Sequence, residues 1–323
     1  MRTVVDRPAR TLADVLADAL DLVEPVPDGS RVSGGPGPSP DEEDHEVAEL
    51  RAMLERAAVA ATSTGGWTAD DPLRLSKSTI TWLLRCPRRA LAGSDVGVTD
   101  DLVAGLVVDA AAKLATLVPQ RPPTVDAALA YLESSGDTIA SVHLADRGAT
   151  AAGLRDDLAD RVDALANAWP HIGPGWWPRV EEPARVRLAG GAIMLTGRLD
   201  LLLGGPPTDR PAVVVEVKGG RWYDGMRADG HLYALLVALR DGQAPHAVVT
   251  VVADGTTQVE PVRPAVLLTA AERVDHAIGV AAAIAAGEPP AMHPGGHCAH
   301  CPARPGCAPG LAWRADDPVT VSA

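Results

Sequence analysis

Glu216-Val217-Lys218 and Asp200 are the residues whose types and spacing suggest chemistry. Glu216 and Lys218 end the β-branched run 211–218 (PAVVVEVK), and Asp200 closes Gly197-Arg198-Leu199-Asp200 in an earlier alternating segment. On a strand, residues two apart share a face, so Glu216 and Lys218 project together. An adjacent antiparallel strand would bring Asp200 beside them. Two carboxylates in apolar surroundings are costly unless something pairs with them. A hard divalent cation such as Mg2+ or Mn2+, which prefers oxygen ligands, does so. The lysine would orient a water or stabilise charge building on a phosphate, with the metal activating the nucleophile for phosphodiester hydrolysis. The bland alternative for an isolated E-x-K is a strand-edge ion pair; the G-x-x-D strand before it and the helical segment after it favour chemistry. Lysine is otherwise nearly absent: Lys77, Lys113 and Lys218 stand against 26 arginines, although compositional drift alone would also produce this.

A second constellation is sulfur. Cys298, Cys301 and Cys307 form C-x2-C-x5-C, and Cys86 lies far upstream beside Pro87. In a cytoplasmic chain, disulfides are not the expected use. Four thiolates suit an iron–sulfur cluster or a tetrahedral Zn2+. Either would staple the C-terminal segment onto the first core helix, and His293, His297 and His300 in the same tail keep zinc open.

Ser76-x-Ser78, an apolar helix and Cys86-Pro87-Arg88-Arg89, followed by the strand motifs and C-x2-C-x5-C, together resemble the RecB-like PD-(D/E)XK nucleases that carry an iron–sulfur cluster. That group includes the AddB C-terminal nucleases and the CRISPR-associated RecB-like adaptation nucleases. The resemblance covers roughly residues 73–310 and rests on five ordered elements. It implies Asp200 and Glu216 as metal ligands, Lys218 as the catalytic lysine, and a structural [4Fe-4S] cluster on Cys86, Cys298, Cys301 and Cys307. The family's G-x3-H helix reads Gly105-Leu-Val-Val-Asp109 in this chain, which makes Asp109 the candidate third metal ligand. Its Q-x3-Y helix reads Asp229-Gly-His-Leu-Tyr233, keeping the catalytic-site tyrosine and replacing the glutamine.

The elements that must position these residues follow from periodicity. Residues 10–23 fit an amphipathic helix, 25–40 a Pro/Gly/Ser linker, and Asp41 a possible cap for a second helix to about Ala61. A capped helix is expected over 76–92 with a break at Pro87, and helices over 99–118 and 151–169. Strands are expected around Gly190-Gly191 within 184–204, at 211–218, near 246–253 and at 257–262, with helices over 222–240 and 264–287. The expectation is an α/β restriction-endonuclease-like (PD-(D/E)XK) core with N-terminal helices and a C-terminal Cys-rich iron–sulfur staple. Its expected parts are an acidic helical arm at 1–72, the nuclease domain at 73–310, and a tail at 311–323.

Charge sets limits. The net formal charge is −13, against a nucleic-acid partner at first sight. Residues 1–75 hold 15 acidic and 7 basic side chains, so most of the excess sits in the arm and leaves room for a local basic groove. Arg88, Arg89, Arg198, Arg221 and Arg227 are candidate DNA phosphate contacts, and Trp222 and Tyr223 candidate base-stacking residues. No apolar run approaches the roughly 20 residues that span a bilayer, and no signal-peptide h-region is present, so no membrane role and a cytoplasmic location are expected. No P-loop motif occurs, so any motor would be a separate helicase or another nucleic-acid-processing protein. The expected activity is metal-dependent DNA hydrolysis, as an exonuclease on ends or single strands in repair, recombination or defence. The alternative is a catalytically impaired DNA-binding or scaffold module of the same fold.

Overall fold

The computed structural model describes residues 40–313 except 94–96, 170–171, 209, 221 and 224. The expected helix at 10–23, nearly all of the linker at 25–40, Arg221 and residues 314–323 lie outside the described residues. The described chain begins with helix α1 (Pro40–Gly65), so Asp41 lies inside that helix rather than capping it. Strand β1 (Leu73–Ser76) leads into α2 (Lys77–Arg85), whose first turn is capped by Ser76 Oγ accepting from Thr79 N at 3.2 Å. Cys86 is extended and ends α2; Pro87, which needs no N–H partner at a helix start, opens the short α3 (Pro87–Ala90). Helix α4 (Asp100–Leu117) is capped by Thr99, and its first turn carries Asp100 and Asp101, which suit the positive end of the helix dipole.

Helices α5 (Val125–Ser134), α6 (Ile139–Arg147) and α7 (Ala151–Ala168) follow. Strands β2 (Arg179–Leu188) and β3 (Ile193–Leu203) are joined through Gly190 and Gly191, whose φ of 64° and 98° fit glycine. Then come β4 (Val213–Lys218), α8 (Gly225–Asp241), β5 (Ala247–Val252), β6 (Thr257–Pro261) and α9 (Pro264–Ala285). Two single turns, at Gly296–His300 and Arg304–Gly306, and the short α10 (Ala308–Ala312) finish the described chain.

The strands form one sheet in the order β1-β3-β4-β5-β6, with β2 paired to β3. The pairs β1–β3 and β4–β5 are parallel; β3–β4 and β5–β6 are antiparallel. All six residues of β5 (AVVTVV) are buried, as expected for a strand covered on both faces. This is a mixed α/β fold.

The chain divides into two compact units, each assembled from separated stretches. Apart from residues before 45, one holds 98–183 and 198–263, the other 45–97, 184–197 and the chain from 264 on. In the first, α4 is central. Its buried Val103, Val107 and Val108 belong to one core with Leu129 of α5, Leu158 and Val162 of α7, and Val213, Val215 and Val249 of the sheet. In the second, α9 packs on α2, and Arg88 N of α3 donates to Ala291 O at 3.1 Å. Helix α1 belongs to this unit through buried Leu54 and Ala58 and through Glu55, whose Oε2 accepts from Ala189 N at 2.7 Å. Among the described residues no helix is long and apolar enough to cross a membrane.

Candidate active site

Strand β4 sorts its residues by parity. Val213, Val215 and Val217 turn to the core shared with α4, so Glu216 and Lys218 take the other face, where α8 also packs on β4. The β3–β4 register sets Leu201 opposite Val215, which brings Asp200 beside Glu216. Asp200 Oδ2 accepts from Val217 N at 2.7 Å, so the backbone of β4 itself holds the carboxylate. Glu216 is 1% exposed. Lys218 Nζ donates to Glu216 Oε1 at 2.5 Å and to Asp229 Oδ2, from α8, at 3.0 Å.

Helix α4 reaches this strand end through two glycines. A Cβ on Gly219 would lie 2.4 Å from the Gly105 Cα, a distance real side chains do not adopt. Arg161 of α7 fixes the same turn by donating to Gly219 O at 2.6 Å. One turn further along α4, Asp109 Oδ2 accepts a hydrogen bond from Lys113, which also donates to Glu181 Oε1; Glu181 in turn pairs with Arg198. Glu181 sits at φ 55°, a left-handed conformation that costs a non-glycine residue about 1–3 kcal/mol and persists only when its surroundings fix it.

These charges act on one another. Burial is the main force raising the Asp109 carboxyl above the usual carboxylate range, Lys113 pulls it back down, and the charge of Glu216 raises it further. Tyr233, on α8 and 5% exposed, has its phenol pushed far above the ordinary tyrosine value, first by burial and then by Glu216 and Asp200. Asp109, Asp200, Glu216, Lys218, Asp229 and Tyr233 thus belong to one electrostatic cluster within one unit.

The donor chemistry fits a hard cation. Every candidate ligand is a carboxylate, and Asp109 Oδ1 is buried with no hydrogen-bond partner among the described residues. The three expected ligands do not, however, converge on a point. No group of three or more His, Cys, Asp or Glu among the described residues is arranged to hold a metal ion. The reason is local pairing: Asp109 engages Lys113, Asp200 the Val217 N–H, and Glu216 the Lys218 ammonium.

The four cysteines lie in the other unit and line one small pocket, together with Arg88, Arg89, Met292 and His297. Cys86, Cys298 and Cys307 are buried, Cys301 is half-buried, and none is in a disulfide. Backbone N–H groups of Gly295 and Gly310 donate to the sulfurs of Cys298 and Cys307, each at 3.4 Å, but the four thiols, like the carboxylates, do not form a group arranged to hold a metal ion among the described residues. A Cβ on Gly310 would meet both Cys307 Sγ at 3.2 Å and Cys298 Sγ at 3.8 Å, which brings those two sulfurs to one spot. His297 packs its ring against Trp82, with centroids 5.5 Å apart.

The candidate DNA-contacting arginines differ in disposition. Arg88, Arg198 and Arg227 are exposed, and Arg227 lies 6.0 Å from the Trp222 ring. Arg89 is buried, donating to Gly93 O at 2.5 Å and lying 4.9 Å from the Trp82 ring. Tyr223 is 60% exposed. Sequence reasoning overlooked Glu181 entirely and gave Lys113 no role, although Lys113 is one of three lysines and follows Asp109 by one helical turn.

A search of solved structures finds a candidate exonuclease from Eubacterium rectale at 10% identity, covering 80% of this chain and 90% of that one with a TM-score of 0.43. It also finds SSO0001 at 13% identity, covering 81% and 96% with a TM-score of 0.31. No curated protein matches the chain. The family model described as the PD-(D/E)XK nuclease superfamily matches residues 74–308, from β1 to the start of α10, and so takes in both the carboxylate–lysine cluster and the cysteines. A match over most of the chain, on the strands that present Asp200, Glu216 and Lys218, establishes that this chain belongs to the PD-(D/E)XK nuclease superfamily.

Proposed function

We propose that the chain is a Mg2+- or Mn2+-dependent deoxyribonuclease that hydrolyses phosphodiester bonds, acting as an exonuclease on DNA ends or single strands in repair, recombination or defence. The observation that carries this reading is the Lys218 ammonium held between Glu216 and Asp229, on the strand whose backbone also holds Asp200. Asp109, Asp200 and Glu216 would hold the metal, with hard carboxylate oxygens suited to either ion. When bound, the ion supplies Lewis-acid help and lowers the pKa of water.

The chain's own side chains do the rest. Lys218, fixed by two carboxylates, presents a compact positive charge for an attacking water and for charge building on the phosphate. Tyr233 keeps its proton and can only donate. Exposed Arg198 and Arg227 are suited to backbone phosphates, and Trp222 and Tyr223 to base faces. In the other unit, Cys86, Cys298, Cys301 and Cys307 would hold a structural [4Fe-4S] cluster; the shared pocket and the N–H groups aimed at sulfur support this over four unrelated thiols. A separate helicase or other nucleic-acid-processing protein is the expected partner.

Incubating the full chain with end-labelled single-stranded DNA and Mn2+ tests the reading. Cleavage should fall by about 10²-fold or more in Lys218→Ala, the loss typical of removing a transition-state charge contact. No cleavage by the wild type, or cleavage indifferent to Lys218→Ala, would assign the chain a DNA-binding or scaffold role instead.

A further inference from the structure

Trp222, Arg227, Val248, Thr250, Gln258 and Glu260 line a pocket of about 140 Å³ that lies wholly within the unit holding the carboxylate–lysine cluster. Its floor is β5. The β4–β5 register sets Thr250 opposite Glu216, and the β5–β6 register sets Gln258 opposite Thr250 and Glu260 opposite Val248. Side chains of paired residues share a face, so the floor continues the face that carries Glu216 and Lys218, one strand away. Helix α8 packs on β4 and β5, and its His231 bonds Glu260 at 2.9 Å, which ties the helix to that wall. Val248 and Thr250 are buried, Trp222 is half-buried, and Gln258 and Arg227 are exposed, so the cation stands at the rim. A cavity of about 150 Å³ admits one benzene ring. This pocket therefore has room for one six-membered ring, and Trp222 gives it an aromatic wall.

We propose that this pocket binds one unpaired pyrimidine base of the substrate strand, beside the phosphate that meets the Glu216–Lys218 end of β4. This rests on the nuclease reading above and names the part of the strand that the site reads. Trp222 stacks on the ring, while the Thr250 hydroxyl and the Gln258 amide, each both donor and acceptor, meet its hydrogen-bonding edge. A complementary strand would occupy that same edge, so a seated base cannot be paired. Arg227, whose guanidinium lies 6.0 Å from the Trp222 ring centroid, meets the phosphate of the seated nucleotide. A purine, with two fused rings, exceeds the room that admits one. An exposed stacking surface alone would accept every base, since every base has a π-face; the enclosed floor is what discriminates.

The test is fluorescence anisotropy of the full chain with short labelled DNA strands, without added metal ion, so that no cleavage is needed. One strand is abasic at every nucleotide; two others carry a single central thymine or a single central adenine. The wild type should bind the thymine strand about 10-fold more tightly than the abasic one, the scale of one stacked base, and gain less from adenine. Trp222→Ala should bind all three strands alike. So should Thr250→Met, which fills the floor and leaves Trp222 in place. Circular dichroism matching the wild type is required of both variants, and should one not fold, the other decides with the wild type. No thymine gain in the wild type, an adenine gain as large as the thymine gain, or a thymine gain that survives in either folded variant would overturn the inference. Binding of the abasic backbone in those cases leaves the nuclease reading intact. No binding of any strand would overturn that reading itself.

Discussion

At Tyr233, burial and the carboxylates of Glu216, Asp200 and Asp229 all act in one direction on the phenol, and only Lys218 opposes them. A phenol shifted upward keeps its proton through neutral and alkaline pH, so it can donate a hydrogen bond and cannot serve as a base. Tyr233→Phe should therefore slow cleavage by about 10-fold, the scale of one hydrogen bond to a charged group, while the alkaline limb of the pH–rate profile keeps its position. An alkaline limb present in the wild type and missing in the variant would show that the phenol titrates and sink the argument. Residues at this scale were legible where a rule of period applies. Glu216 and Lys218 share a face because strands alternate, and Asp200 joins them because antiparallel pairing is local. Glu181 was not legible: its role depends on a positive φ inside a strand and on a lysine 68 positions away. No spacing rule encodes either.

Among the elements, the contact between the end of β4 and α4 is the one that sets the site. Both partners at the closest approach are glycines, so backbone meets backbone and no side chain can rotate away. Gly219→Ala should destabilise the fold by about 1–3 kcal/mol, as overpacking does, and lower cleavage as well because Lys218 is the preceding residue. Gly220→Ala is the control, since a Cβ there meets nothing within 4 Å. Thermal melts of the two variants should separate by several degrees; equal losses would mean that the close approach has no special weight. Asp41, expected as a cap, lies inside its helix, whereas the helix start at Ser76 and the break at Cys86-Pro87 were legible from capping chemistry. The short α5 and α6 were not, because nine or ten residues give the helical period little room beside the longer Ala/Leu-rich segments. The strand β2 also starts at Arg179, five residues before the alternation becomes visible, since its first residues pair with charged neighbours rather than alternate apolar and polar.

For the molecule as a whole, the cysteine pocket carries the decisive chemical test. Anaerobically purified protein should be brown and contain about four iron atoms per chain, and Cys86→Ser should lose both the colour and several degrees of melting temperature. Colourless protein containing zinc would replace the cluster with a tetrahedral site on the same thiols. That one cysteine stands far from the other three was plain in the sequence, and the count of four thiols already led to the expectation that they share one site. The interleaving of the two units was not legible at all, because hydrophobic period reports which face of an element is buried and says nothing about which distant element buries it. It has a consequence in time. Helix α2 precedes its partner α9 by almost 180 residues, so a growing chain exposes the apolar face of α2 until residues from 264 on have been made. The unit that holds the thiols is therefore the later of the two to close, after the carboxylate–lysine unit has its whole sequence.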